Sequence, residues 1–80
     1  MSYRVVVDDR AVRELVRLPK SAVQRIRQAI VALTEDPRPS GAKKLTGREG
    51  YRVRVGDYRI LYAIDDKTRR VVVYLLGHRK

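Results

Sequence analysis

Arginine side chains alternate with apolar side chains along one stretch in the second half of the chain, Tyr51–Leu76. In its first part, YRVRVGDYRILY, the arginines are Arg52, Arg54 and Arg59. This period of two is expected of half-buried strands, and Gly56-Asp57 suits a tight two-residue hairpin turn. Such a turn pairs Arg54 with Arg59 and places Arg52 on the same face. Like charges directly across a strand pair are destabilising, so the pattern favours a polyanion that neutralises them, or else a solvated arginine face.

The whole chain is strongly basic, and the excess is concentrated around this hairpin. The formal net charge is +10, of which +7 falls from Lys43 onward. A field of this kind favours nucleic acid or an acidic protein as partner. Lys43 and Lys44 lie in a predicted loop beside the hairpin and Arg48 just after it, where they either extend a phosphate-binding surface or are only solvated.

Length and composition predict a single domain over residues 1–80. The chain has no Cys, Phe or Trp, so its core must come from Val, Ile, Leu and five Tyr residues. Without cysteine there is neither a disulfide framework nor a thiolate metal site, and we expect no metal and no cofactor. No apolar run approaches the roughly 20 residues that span a bilayer, which predicts a soluble, cytoplasmic protein without membrane contact.

The order of elements is predicted to be β-α-α-β-β-β. A first strand over 3–7 contains three valines and should be buried on both faces. Asp8-Asp9 suits the start of a helix, Pro19 separates it from a second amphipathic helix, and Pro37–Gly47 reads as a loop. These elements predict an α+β fold, a twisted and mostly antiparallel sheet with an αα-hairpin packed on one face.

The last two strands define the second face of that sheet. A four-residue turn at Asp65–Thr68 predicts the pairs Ile64 with Val71, Tyr62 with Val73, and Ile60 with Leu75. The opposite face then carries apolar side chains that no later element covers, namely Leu61, Ala63, Val72, Tyr74 and Leu76. An uncovered apolar strip of this kind indicates a partner site.

Three motifs resemble the RelE/ParE family of bacterial and archaeal toxins from toxin–antitoxin systems. They are Lys44-Leu45-x-Gly47, the run from Tyr51 to Tyr62, and Gly77-His78-Arg79 after an apolar strand. The resemblance extends over essentially the whole chain and implies a RelE-like fold. It implies a cognate antitoxin as partner, with a heterotetramer as one possible assembly. Because nothing later in the chain covers the outer apolar face, we expect the antitoxin to bind there, through Leu61, Val72, Tyr74 and Leu76. RelE-like members are ribosome-dependent endonucleases that cut mRNA in the ribosomal A site, whereas ParE-like members poison DNA gyrase.

The resemblance to RelE also implies roles for individual residues. In that branch two basic residues on one strand, an arginine on the next and another after the last strand surround the scissile phosphate. By position these are Arg52, Arg54, Arg59 and Arg79. The implied reaction is metal-free attack by the ribose 2′-OH, which leaves a 2′,3′-cyclic phosphate and a 5′-OH. Guanidinium groups suit it because negative charge builds up on the phosphoryl oxygens.

The sequence departs from the RelE pattern where a proton must be moved. The best-known RelE proteins have lysines where this chain has Arg52 and Arg54, and arginine is a poor base at neutral pH. They also carry a tyrosine further along the chain. His78 is either the replacement acid or base, or a surface residue of the tail. The missing lysine and tyrosine favour a gyrase inhibitor as the alternative. A third hypothesis is a basic nucleic-acid-binding module without catalysis, but the sequence lacks the exposed aromatic stacking pattern typical of proteins that bind single strands.

Overall fold

The computed structural model describes residues 2–78, except for the side chain of His78. The elements in chain order are β1 (Arg4–Val7), α1 (Asp9–Leu15), α2 (Lys20–Ala32), β2 (Lys43–Lys44), β3 (Tyr51–Val55), β4 (Tyr58–Asp65) and β5 (Arg70–His78). They form one sheet in the order β1-β5-β4-β3-β2, in which β1 is parallel to β5 and the other neighbours are antiparallel. The predicted α+β fold is confirmed. The loop prediction for Lys43 and Lys44 is wrong, because these residues form β2, a short edge strand that brings the sheet to five strands.

The two helices pack on one face of the sheet, here called the inner face. Asp8 is the N-cap of α1 in extended conformation, and Pro19 has the same place before α2. The helices contribute Ala11, Ile26 and Ile30 to the core, the C-cap of α2 contributes Leu33, and the strands contribute Ile60, Tyr62, Val71, Val73 and Leu76. Burial of these side chains, rather than capping, orients the helices on the sheet. Within residues 2–78, no helix is long and apolar enough to cross a membrane.

The β3–β4 hairpin has the predicted register. Val55 pairs with Tyr58, Arg54 with Arg59, Val53 with Ile60, and Arg52 with Leu61. Gly56 adopts φ 61°, the left-handed conformation that a primed turn requires of its first central residue. The turn therefore sets which arginine lies beside which.

The β4–β5 pair contains an irregularity that changes its register. Ile64 pairs with Val71 and Tyr62 with Val73 as predicted, but Leu61 then pairs with Leu75 and Ile60 with Leu76. The prediction that Leu76 belongs to the outer face is wrong, since it is 7% exposed and lies in the core. Tyr74 is the additional residue of a β-bulge. As a result, the residues of β5 after Tyr74 point to the face opposite to the one predicted.

Glu14 of α1 supports this bulged end of β5. Strand β1 pairs with β5 only as far as Val73, so among the described strands none lies beside the backbone of β5 beyond that point on this side. The partly buried Glu14 carboxylate accepts a hydrogen bond of 2.8 Å from the backbone N–H of Leu76. An edge N–H that would otherwise be buried without a partner is thereby satisfied.

The first strand is less buried than its three valines suggest. Val5 and Val7 pack against the core, but Val6 points to the outer face and is 40% exposed. The prediction of burial on both faces is wrong because β1 is an edge strand and neither α1 nor α2 covers the outer face.

Candidate functional site

Three cationic side chains meet at the β2–β3 edge of the outer face. Lys43 pairs with Arg52 across this edge, and Arg54 follows on the same face of β3. Together with Gly41 they line a depression of about 430 Å³. Alternation along β3 thus brings together three of the residues that the sequence proposed for phosphate binding.

Arg59 lies next to this group, between Arg54 on β3 and Gly77 on β5. A Cβ atom placed on Gly77 would stand 3.3 Å from Cγ and 3.8 Å from Cδ of Arg59. The missing side chain at Gly77 therefore leaves the room in which the Arg59 side chain lies. His78 pairs through its backbone with Tyr58, one position further along. The predictions for the His78 side chain and for Arg79 fall outside the described residues.

Two of the predicted cations are not part of this group. Lys44 pairs with Tyr51, so it lies on the opposite face of the edge strand from Lys43. The guanidinium of Arg48 lies 5.2 Å from the ring centroid of Tyr74. This is cation–π geometry and places Arg48 over the middle of the sheet instead of in the depression. Within residues 2–78, no group of three or more His, Cys, Asp or Glu side chains could hold a metal ion.

The middle of the outer face is apolar. We call it the outer strip, and it consists of Val6, Leu61, Ala63, Val72, Tyr74 and Leu75. Val6 and Leu75 were missed by the sequence analysis because neither the register of β1 nor the bulge could be read from the pattern. Ala63 and Val72 also line a depression of about 560 Å³ whose rim carries Glu49, Asp65 and Arg70. An apolar floor with a charged rim suits an amphipathic segment.

One part of the outer strip is covered, contrary to the expectation that nothing could cover it. The loop over 45–50 is closed by a 2.9 Å hydrogen bond from the Leu45 N–H to the Gly50 carbonyl. It buries the Tyr74 hydroxyl, which has no hydrogen-bond partner among the described residues. Gly50 has φ 123°, and a Cβ there would stand 2.8 Å from the Tyr62 carbonyl oxygen. Only glycine fits at this close approach of loop and strand.

A polar network that the sequence analysis did not predict ties this sheet end to the loop after α2. Arg38 donates hydrogen bonds of 3.2 and 2.9 Å to the two Asp66 carboxylate oxygens, and one of 3.0 Å to the Tyr51 hydroxyl. The Tyr3 hydroxyl donates to Asp66 at 2.7 Å. The Tyr62 hydroxyl donates a hydrogen bond of 2.7 Å to the Pro37 carbonyl. Burial raises the pKa of Tyr62 to about 12. No local motif signals these contacts, which join residues far apart in the chain.

The network predicts an acid-sensitive contribution to stability. The hydrogen bonds from Arg38 and then from Tyr3 lower the pKa of Asp66 to about 2. Because the ordinary pKa of an aspartate is near 3.9, the folded state prefers the charged form. The contribution is therefore fully present above about pH 4 and is lost as the pH falls toward 2. We expect the urea midpoint of Asp66→Asn to fall less steeply over this range than that of the wild type. Parallel curves for the two proteins would contradict this role of Asp66.

Comparison with known proteins gives the same family by sequence and by fold. The family described as ParE toxin of type II toxin-antitoxin system, parDE, matches residues 5–80. Toxin RelE of Mycobacterium tuberculosis is 35% identical over 79 residues, which cover 96% of this chain and 81% of that protein. A chain of the RelE–RelB complex from Pyrococcus horikoshii is 30% identical, with a TM-score of 0.85 and coverage of 99% and 97%.

A second solved complex agrees. A chain of the toxin–antitoxin complex RelBE2 from Mycobacterium tuberculosis is 30% identical with a TM-score of 0.87, over 99% of this chain and 100% of that one. Sequence match and fold similarity therefore both extend over nearly the full chain. This protein belongs to the RelE/ParE family of toxins from type II toxin–antitoxin systems.

Proposed function

We propose that this protein cleaves mRNA on the ribosome by metal-independent attack of the ribose 2′-OH, and that a cognate antitoxin neutralises it. The observation that carries the proposal is the meeting of Lys43, Arg52 and Arg54 at one depression, with Arg59 beside Arg54. The similarity to Toxin RelE of Mycobacterium tuberculosis supports a RelE-like toxin, the branch for which the sequence motifs imply this reaction.

The proposed chemistry needs cationic donors and one proton acceptor. The 2′-oxygen forms a bond to phosphorus while the bond from phosphorus to the 5′-oxygen breaks. The 2′ proton passes to a base, and the leaving 5′-oxygen takes up a proton. Arg59 would bind the phosphoryl oxygens as they gain charge, with Arg79 as a second donor by its position in the sequence. Arg52 and Arg54 would hold the neighbouring phosphates.

His78 is the side chain that we assign to proton transfer. Its ordinary pKa near 6.5 suits acid–base work at neutral pH, which that of arginine does not. We expect His78→Gln to slow cleavage by about 100-fold or more while RNA affinity is retained. The wild-type rate should follow a single ionisation near neutrality. A cleavage rate that stays constant between about pH 5.5 and 8 would contradict this assignment and leave His78 as a surface residue.

The outer strip is the proposed antitoxin site. Its apolar side chains lie between the Arg54–Arg59 pair and the rim that contains Glu49 and Asp65. An amphipathic antitoxin helix could bury these side chains while its carboxylates neutralise Arg54 and Arg59. The related solved structures include a RelE–RelB complex from Pyrococcus horikoshii and a RelBE toxin–antitoxin complex from Escherichia coli, which supports such a partner. Leu76 is no longer part of this proposal because it lies in the core.

A second candidate function is inhibition of DNA gyrase without nuclease chemistry. The match to the ParE toxin family favours it, as do arginines in place of lysines at positions 52 and 54. Such a protein would need cations only to bind its target.

The end groups of cleaved mRNA test the proposed reaction. The downstream fragment from programmed ribosomes should accept labelled phosphate at its 5′ end from polynucleotide kinase without prior phosphatase treatment, because the reaction leaves a 5′-OH there. A downstream fragment that needs phosphatase first would exclude 2′-OH attack. A matched incubation without the protein controls for other ribonucleases.

A further inference from the structure

A second group of arginines lies at the opposite end of the outer face. Arg4 on β1 and Arg70 on β5 are in register, and both side chains are exposed. Arg69 precedes Arg70 with φ 55°, and its carbonyl accepts a 2.9 Å hydrogen bond from the Arg4 N–H. The three surround a depression of about 530 Å³, together with Ser2, Tyr3 and Thr68. We call this group the second arginine cluster.

The two aspartates near this cluster, Asp65 and Asp66, already accept hydrogen bonds. Asp66 accepts hydrogen bonds from Arg38 and Tyr3. Asp65 pairs with Arg70 in the sheet register, but its Oδ1 atom accepts the backbone N–H groups of Lys67 and Thr68, at 3.1 and 3.3 Å. No guanidinium of the second arginine cluster forms an ion pair with any described side chain. Placing Arg4 directly beside Arg70 costs stability unless an anion neutralises them.

The two cationic ends are separated by the length of β4. Arg70 pairs with Asp65, and Arg59 lies six residues earlier on the same strand. At about 3.3 Å per residue, the two groups are roughly 20 Å apart on one face. A single extended polyanion could therefore contact both.

We propose that Arg4, Arg69 and Arg70 form a second phosphate-binding site, which holds the backbone of the RNA whose scissile phosphate lies at the Arg54–Arg59 end. This inference rests on the proposed nuclease function. An arginine side chain can bind two phosphate oxygens at once. None of the described residues that line the depression is aliphatic, so the depression offers no aliphatic contact for an anchoring side chain of a peptide. Its chemistry therefore fits RNA phosphates better than an amphipathic protein segment.

Binding to RNA that cannot be cleaved tests the second site separately from catalysis. The probe is a fluorescent single-stranded RNA with 2′-O-methyl groups throughout, which lack the attacking hydroxyl. Its affinity is measured by anisotropy over a range of salt concentrations. The variant is Arg69→Asn with Arg70→Gln, since asparagine tolerates the left-handed conformation of residue 69. The control is Arg10→Gln with Arg27→Gln, which removes the same charge from the exposed surfaces of α1 and α2.

We expect the cluster variant to bind about tenfold more weakly and to lower the salt slope by about 0.7 for each phosphate that the protein no longer neutralises. The control should change both quantities much less, and both variants should melt close to the wild type. Equal decreases in variant and control would overturn the proposal, because they would reflect net charge alone. A decrease in affinity for an acidic peptide without a decrease for RNA would also overturn it, in favour of a protein partner.

Failure of the nuclease proposal would look different. In that case no mRNA would be cut, yet the difference in RNA affinity between cluster variant and control would remain. If both proposals hold, the cluster variant should raise KM on programmed ribosomes and leave kcat near the wild-type value.

Discussion

Replacing Arg59 with alanine is expected to slow mRNA cleavage by about 10²–10³-fold, the usual effect of removing one transition-state donor. Arg59 stands beside Arg54 and over Gly77, where the chain leads into the Gly77-His78-Arg79 motif. Growth arrest on expression should disappear together with cleavage. The measurement is single-turnover cleavage on programmed ribosomes, with thermal melting to verify the fold.

Arg27→Ala is the matched control for this variant, because it removes the same charge from an exposed position on α2. It should retain nearly the full rate. Arg52→Ala and Arg54→Ala should have smaller effects than Arg59→Ala, since they hold flanking phosphates in the proposed mechanism. A well-folded Arg59→Ala variant that is still fully toxic would contradict the endonuclease assignment.

Replacing Val72 with aspartate is expected to weaken antitoxin binding by about 100-fold or more, because an unpaired charge would be buried in the interface. Val72 lies in the middle of the outer strip, between Val6 on β1 and Ala63 on β4. The measurement is calorimetric titration of each folded variant with the cognate antitoxin.

Gln28→Asp supplies the control, since it adds the same charge to the surface of α2, away from the outer strip. It should bind the antitoxin like the wild type. Val6→Asp gives a second test at the more exposed edge of the strip, in case Val72→Asp does not fold. Equal affinities for the strip and helix variants would place the antitoxin elsewhere.

The hairpin could be predicted from sequence because its determinants are local. Gly56-Asp57 specifies a two-residue turn, and strand alternation then fixes Arg54 opposite Arg59. The cationic face follows from the same period. The fold class could also be predicted, because short loops limit how two helices and the strands can be joined.

The errors concern features that depend on distant residues. The bulge at Tyr74 has no signature in VVVYLL, and it exchanges Leu75 and Leu76 between the two faces. Its support comes from Glu14, which is 62 residues away in the chain. The Arg38–Asp66 pair and the loop over Tyr74 likewise join segments that pattern analysis treats separately. Long-range polar contacts of this kind leave no periodic trace in a sequence.

The central claim is that this protein cuts mRNA, and a paired assay on one preparation tests it most directly. Purified protein is added to ribosomes that are translating a defined mRNA, and cleavage is mapped by primer extension. The same protein is added to DNA gyrase with supercoiled plasmid. The proposed function predicts that the wild type cleaves the mRNA, that Arg59→Ala does not, and that gyrase is unaffected. Intact mRNA together with inhibited gyrase would contradict it and establish the alternative.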